Sequence, residues 1–417
     1  MTRLLIESRA PNWKRINDLR QTRIKDANRG QLLLFKYMEW QTLRIEAKAE
    51  TNIVQTPLRL ITNQASCRLT LKKRLSDCSF LGARLMLIFD DLLWVLTDAQ
   101  LLSALHFADY LGELIKNAPR THRFNDELFG IHSPTKHHSN AHNAQTVQNQ
   151  VGQLFARYDV LETSHHIYVS RIEIHLCDEL DPSNSRSLYP PLEKGGALQV
   201  SIFKLVIDIY PYQKVLGNRK HWIRYSDPSA SRSQWIDQLL QLYVDDKFNV
   251  NVSKENQIKP APRSQTLSIF NHLRSRVILL RFSNYSLNCV STFTTTKEQI
   301  NEKFIATDKT AFSLPDDMDA FYMEINNYYF VDGDLTTPNP TAFIHLTPLK
   351  ICFDANTIIW INAFQANLQK AMEKLQEMLP KDQQEAKLCT RIECLMPVVI
   401  FKCPENEIYS SFEIKST

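Results

Sequence analysis

The stretch LGARLMLIFDDLLWVLTDAQLLSALHFADYLGELIKNA, running from Leu81 to Ala118, carries the strongest structural signal in the chain. Leu81, Ala83, Leu85, Leu87 and Phe89 occupy alternate positions. Successive strand side chains point to opposite faces, so this spacing predicts a strand with one apolar face. Asp90 and Asp91 are poor strand formers and predict a bend. A second short strand, Leu92 to Leu96 with Trp94 at its centre, is expected to follow. Thr97-Asp98-Ala99-Gln100 then has the form of a capping box, and Leu101, Leu105, Ala108, Leu111 and Ile115 recur at helical spacing. The expected unit is strand, acidic break, Trp-bearing strand and amphipathic helix.

That order returns twice. Leu349 to Asp354 is followed by Thr357 to Ile361 around Trp360, and then by Phe364, Leu368, Met372, Leu375 and Met378 at helical spacing. A fainter copy joins Phe203 to Ile209 with Trp222 and with Trp235, Ile236, Leu239, Leu240 and Leu242. The copies predict modules at residues 1–118, 151–245 and 271–380. Polar linkers at 119–150 and 246–270 separate them, and 381–417 begins a further strand segment.

Further strands fill the modules. Gln31 to Ala47 alternates in two registers, which predicts a bulge or turn near Trp40. Cys67, Leu69 and Leu71 oppose Arg68, Thr70 and Lys72, and the short spacing between these strands predicts an antiparallel meander. Later strands are expected through Ile172 and Ile174, from Leu198 to Tyr210, from Arg276 to Phe282, from Ala342 to Leu346 and from Cys389 onward.

The chain has 417 residues, 43% of them hydrophobic and 23% charged, a composition that folds rather than staying disordered. A net charge of +4 is too small to imply a nucleic-acid partner. The basic clusters Lys72-Lys73-Arg74 and Arg219-Lys220 read as solvated faces, with contact to acidic lipid headgroups as the alternative. Nine glycines argue against phosphate-cradling loops. The eight cysteines are dispersed with no C-x-x-C pair and no secretory signal precedes them, so reduced thiols in a cytoplasmic chain are expected.

Catalytic and metal signatures are absent from the sequence, including G-x-x-x-x-G-K, H-E-x-x-H and G-x-S-x-G. The histidines at 132, 137, 138 and 142 match no zinc spacing. His175 and Cys177 share a strand face, but parity puts His166 on the other, so no ligand set converges there. Neighbouring carboxylates at Asp90-Asp91 and Asp316-Asp317 read as turn residues. A non-enzymatic protein without a cofactor is expected.

Many strands, few glycines and helices only at module ends predict a mainly β protein with helices (α+β), built from antiparallel strands. Its sheet is elongated and curved, with an apolar concave face. Such a face must bury something other than its own helices. Lipid acyl chains fit, because each buried methylene is worth about 0.8 kcal/mol. The candidate groove positions are Leu69, Leu71, Leu81, Leu85, Leu87, Phe89, Ile172, Ile174, Ile202, Ile207 and Ile351. Parity alone leaves open which face is the groove.

Specific segments carry a resemblance. These are Thr22 to Asp26 with Arg29-Gly30, Pro57 to Gln64, Arg74 to Cys78, Asp90 to Asp98, Glu162 to His166, Ile207 to Tyr212, His221-Trp222 and Ile359 to Asn362. In this order they resemble the bridge-like lipid transfer protein family, member three group, chorein-type proteins of the vacuolar protein sorting thirteen superfamily. The resemblance implies repeating β-groove modules joined into a trough that carries glycerophospholipids between membranes. It also implies peripheral association with early endosomes or endocytic vesicles and contact with Rab-type GTPases. Against the family pattern the chain is expected to be an internal fragment without the N-terminal chorein cap. The competing expectation is an interaction scaffold whose β surface recruits endosomal or nuclear protein partners and binds no lipid.

Overall fold

The computed structural model describes residues 4–41, 43–47, 58–62, 65–97, 151–177, 197–215, 217–222, 230–249, 270, 272–290, 303–310, 312–331, 336–353, 355–378, 387–394, 398–401 and 413–415. Among these, 18 strands join one open sheet. β1 (Leu5–Ser8) and β2 (Arg23–Asp26) both lie antiparallel along one edge of β3 (Gln31–Trp40). β3 pairs with β6 (Ala65–Arg74), while β4 (Leu43–Ala47) pairs with β5 (Leu58–Thr62). Trp40 faces Ala65 and Leu43 faces Thr62 in one unbroken register. β3 with β4, and β5 with β6, therefore follow the two arms of a single antiparallel ladder in one register. The bulge or turn expected near Trp40 brings no shift of register between Trp40 and Leu43.

β7 (Phe80–Thr97) runs antiparallel to both halves of the second arm. β8 (Ser164–Cys177) then lies parallel to β7, a direction that needs a long crossover. From β8 the sheet returns to antiparallel order. β9 (Ala197–Lys214) pairs with β8, and β10 (Leu273–Phe282) and β11 (Asn284–Val290) together line the other edge of β9. β12 (Ile305–Thr307) and β13 (Phe321–Phe330) pair with β11 and β10. Next come β14 (Thr341–Leu346) on β13 and β15 (Leu349–Phe353) on β12. A second parallel joint follows, with β16 (Cys389–Cys394) on β14 and β17 (Val398–Phe401) on β15, before β18 (Glu413–Lys415) turns antiparallel. Helices accompanying the described sheet include α1 at 151–158, α2 (Ala230–Asn249) and α3 (Ala355–Met378).

Two expectations about the repeat are corrected. Asp90 and Asp91 do not end a strand, since β7 continues through them for 18 residues. Asp91 pairs with Arg171 of β8, so the ladder on that side supplies the hydrogen bonds that low strand propensity would forgo. Trp360 lies in a helix, not a strand, because α3 begins at Ala355 and packs that indole on the sheet. The β-branched run around it is overridden by this packing. Trp94 and Trp360 thus occupy different secondary structures. The capping box beyond Thr97, the helix expected to Ala118 and the polar linker at 119–150 lie outside the described residues, as do residues 250–269 of the linker expected at 246–270, whose first four residues are the end of α2.

A crease crosses the sheet. In register, Asp90 falls beside Ser170, Ser170 beside Lys204, and Lys204 beside Ser283, and each is skipped in the ladders that flank it. Lys204 has a positive φ of 52°. On one side the line runs between β3 and β4 and between β5 and β6. The gaps β12 to β13, β14 to β15 and β16 to β17 continue it on the other, tied by Thr347 N to Ala320 O at 3.1 Å and Asp308 N to Pro348 O at 3.0 Å. At this line the side-chain parity slips by one, as in a bulge. Phe282 and Tyr285, three apart in sequence, meet edge to face at 5.4 Å, and Phe89 and Leu92 pack in one cluster. Every neighbour slips on the same row, so pairing stays in step on both sides.

On one side of the crease the back of the sheet is covered. α1 and the segment after β1 close over Ile24, Leu33 and Phe35 through Phe155, Val160 and Trp13. α2 covers Leu273, Tyr328 and Phe330 with Ile236, Leu240 and Val244. Between them Tyr210, Val277, Leu279, Tyr322 and Phe343 pack under Trp222, whose ring stacks on Tyr210 at 4.1 Å. Burial on β10 and β13 alternates accordingly, full toward the helices and partial toward the front.

Candidate functional site

The front face is apolar along whole rows that run across the strands. One row reads Ile6, Met38, Cys67, Leu87, Ile167, Ile207, Leu280, Met323, Ile344 and Ile392, each the ladder partner of the next. Across the crease another reads Trp94, Ile174, Val200, Leu287, Ile305, Ile351 and Val399. Side chains directly opposite one another on neighbouring strands are in contact range, so each row is a continuous apolar stripe. Beside the crease, Val169, Leu205 and Phe282 form a buried nucleus to which Phe89, Leu92, Ile172, Ile202 and Ile207 contribute partly exposed atoms. Phe282 and Phe321 stack at 4.6 Å within it.

The sequence-predicted groove residues therefore converge. Leu85, Leu87 and Phe89 gather with Trp40, Ala65 and Cys67, and Leu69 is the ladder partner of Leu85. Leu71 faces Leu34 on one side and Ala83 on the other. Ile172, Ile202 and Ile207 meet around the crease nucleus, while Ile174 and Ile351 share the row beyond it. Leu81 lies in the register shift where Lys72 pairs Gly82 and Lys73 pairs Phe80. The sequence list omitted Trp94, Val200, Leu280, Tyr285 and Leu287. Their parity becomes readable only when Asp90-Asp91 and its counterparts are taken as slips within single strands.

The slip also corrects the histidine parity. Beyond it Arg171, Glu173 and His175 turn to the back, the same side as His166, whose ring meets Tyr210 there. His166 is engaged by Asp208 Oδ1 at 2.7 Å and Ser164 Oγ at 2.9 Å. Among the described residues no three metal-ligating side chains cluster.

α3 covers part of the front face near the ends of β8, β9 and β11. Trp360 and Phe364 stack at 5.2 Å and pack on Leu176, Leu198 and Leu287. The rows nearer the crease have no helix over them among the described residues, and most of their members are half-buried. Near the apolar rows, burial shifts two titratable side chains toward their neutral forms. Burial pushes the Tyr285 hydroxyl up to about 12, with Cys394 adding to the shift. Burial lowers His165, with the neighbouring His166 acting in the same direction.

The back of the same wall carries buried ions. Asp208 accepts from Arg281 and meets His166, all nearly inaccessible. Glu324 accepts from Arg219 at 3.1 Å, Tyr322 at 2.8 Å, Asn326 at 3.0 Å and also Arg232. Glu162 accepts from the Trp222 indole at 2.8 Å and contacts His221 at 2.6 Å. The Glu324 network joins β13 to Arg219 and to Arg232 of α2, in the segments that cover the back. No described helix is long and apolar enough to cross a membrane.

Comparison with known proteins gives the relationship. The family model for bridge-like lipid transfer protein family member 3A/B matches residues 1–407. Bridge-like lipid transfer protein family member 3B of Mus musculus is 32% identical, covering 90% of this chain and 28% of that protein. The Homo sapiens member 3B is likewise 32% identical, and the Homo sapiens member 3A is 31% identical over 89% of this chain and 29% of its own length. The chain thus spans under a third of these relatives. A match of this extent shows that the chain belongs to the bridge-like lipid transfer protein family.

Proposed function

We propose that the front face is the inner surface of a lipid trough. It holds glycerophospholipid acyl chains, lets them move along the rows from strand to strand, and performs no catalysis. The observation that carries this reading is the continuity of the apolar rows across both parallel joints, from Ile6 to Ile392 on one side of the crease. Acyl chains need continuous apolar surface and no directional partner, and the rows offer both. The pairing directions support a repeating unit that runs from one parallel joint to the next, β8 through β15. The trough then lengthens by adding units. The names of the relatives support a lipid cargo. A cytoplasmic protein lying peripherally on early endosomes, with Rab-type GTPases as partners, completes the proposal.

The test is native mass spectrometry of the purified chain with extraction of bound lipid. Leu85→Asp with Leu87→Asp places two carboxylates in the rows and is expected to remove the co-purifying phospholipids while circular dichroism stays that of the parent. Lipid retained at the parental level would take these positions out of the trough. A folded, monodisperse parent chain without lipid would favour a protein-recruiting scaffold instead. One observation favours that second reading locally: α3 already occupies the front face over Leu176, Leu198 and Leu287.

A further inference from the structure

The lip of the trough farthest from the crease on the helix-backed wall is lined by cations. Arg23 and Lys25 alternate with the buried Ile24 and Asp26, so they point to the front. Lys25 faces Leu32 and Leu32 faces Lys73, which places Lys73 on the same side. On the other half of the wall Arg274 and Arg276 alternate with Leu273, Ser275 and Val277, which are buried toward the back. Lys214 is the ladder partner of Arg274. Arg23, Lys25, Lys214 and Arg276 are exposed.

The carboxylates of this wall point the other way. Asp159, Asp208, Glu162 and Glu324 all form their ion pairs behind the sheet. Lys72 shows the sorting on one strand: between Leu71 and Lys73 it turns to the back and meets Asp159 at 2.8 Å. Parity thus sends the acids to the structural networks and leaves a line of positive charge beside the apolar rows.

We propose that this lip binds the phosphate-bearing headgroups of lipids whose chains lie in the trough, and that it selects net-anionic glycerophospholipids over zwitterionic ones. The inference rests on the trough reading and specifies its cargo. A headgroup held at the lip stays in water while its chains are sheltered, so the contacts are solvent-exposed. Several exposed charge pairs of a fraction of a kcal/mol each amount to a preference of roughly three- to tenfold, reduced by salt.

The experiment incubates the full chain with vesicles of equimolar phosphatidylserine and phosphatidylcholine of matched acyl chains. The protein is then separated, and the two bound lipids are quantified by mass spectrometry. The serine to choline ratio is expected to exceed one by roughly three- to tenfold at low salt. It should fall toward one in Lys25→Glu/Lys73→Glu/Arg276→Glu, and part of the way in the corresponding Gln variant, which guards against misfolding by charge reversal. Inorganic phosphate is added in a further arm at matched ionic strength. An unchanged ratio supports lipid-borne headgroups, and a ratio driven to one assigns the lip to free phosphate and overturns the proposal. Lipid bound without headgroup preference, or with a ratio unmoved by the variants, overturns this inference alone. Absence of any bound lipid overturns the trough reading and this one with it.

Discussion

The two walls on either side of the crease share one apolar front but differ in what lies behind them. Behind Leu87, Ile167, Ile207 and Leu280 are helices, stacked aromatics and fully buried ions. Behind Trp94, Ile174 and Val200 is a polar surface, where Arg171 pairs with Glu173 and Gln199 donates to Glu173 at 3.0 Å. The first wall is anchored by a core of its own. The second, among the described residues, has α3 over part of its apolar side. On the trough reading proposed above, one side is anchored and the stability of the other is tied to its occupancy.

An arginine and a carboxylate meet on both walls, and this gives the sharpest way to break the comparison. The Arg281 and Asp208 side chains are 4% and 0% exposed, whereas those of Arg171 and Glu173 are 45% and 20% exposed. Asp208→Ala leaves Arg281 and His166 without their buried partner and is expected to cost about 3–5 kcal/mol in urea unfolding. Glu173→Ala is expected to cost under about 1 kcal/mol. Equal losses would mean that the walls are equally anchored.

The crease itself is open to a smaller test. Lys204 holds a left-handed backbone at φ 52° with its side chain exposed. A non-glycine residue there carries roughly 1–2 kcal/mol of strain, and glycine returns part of the gain as unfolded-state entropy. Lys204→Gly is therefore expected to stabilise the chain by about 0.5–1 kcal/mol, read from the denaturation midpoint. A destabilised variant would show that the slip is held by the lysine side chain rather than by the ladder geometry.

The smallest expected effect is on pH. Burial depresses His165 in the folded chain, with His166 contributing, and burial depresses His345 against the opposing charge of Glu393. For an imidazole whose folded pKa lies below its unfolded value, the unfolded chain binds the extra proton. Stability is then full above the ordinary value of 6.5 and is lost as pH falls from there toward the folded pKa. Thermal unfolding at pH values stepped down from 7 should move to lower temperature, and His165→Gln should flatten the dependence. A slope unchanged in that variant would assign it to other groups.

Much of the apolar front was legible because strand parity is a local property. Leu85, Leu87 and Phe89, or Ile172 and Ile174, needed only their spacing to be placed on one face. The continuity between these sets was not legible. Two adjacent acids between two alternating runs look like a strand end, and only the neighbouring strands reveal a slip that all of them share. The same blindness split His166 from His175. Trp360 failed for the opposite reason: Thr357 to Ile361 is a good strand sequence, and its helix is decided by a distant contact with Leu198. The choice of groove face depended on where α1 and α2 pack, which no spacing within the strands could report.

The shared slip also separates two dimensions of growth. Along the rows the molecule can be extended strand by strand with its cross-section unchanged, like a profile drawn through a die, provided each new strand carries its own break on the common line. Across the strands the cross-section is locked. Removing a single residue near Ser170 would turn Ile172, Ile174 and Leu176 outward together and put Arg171, Glu173 and His175 inside. Length is therefore the dimension in which this architecture tolerates change, and profile is the one it does not.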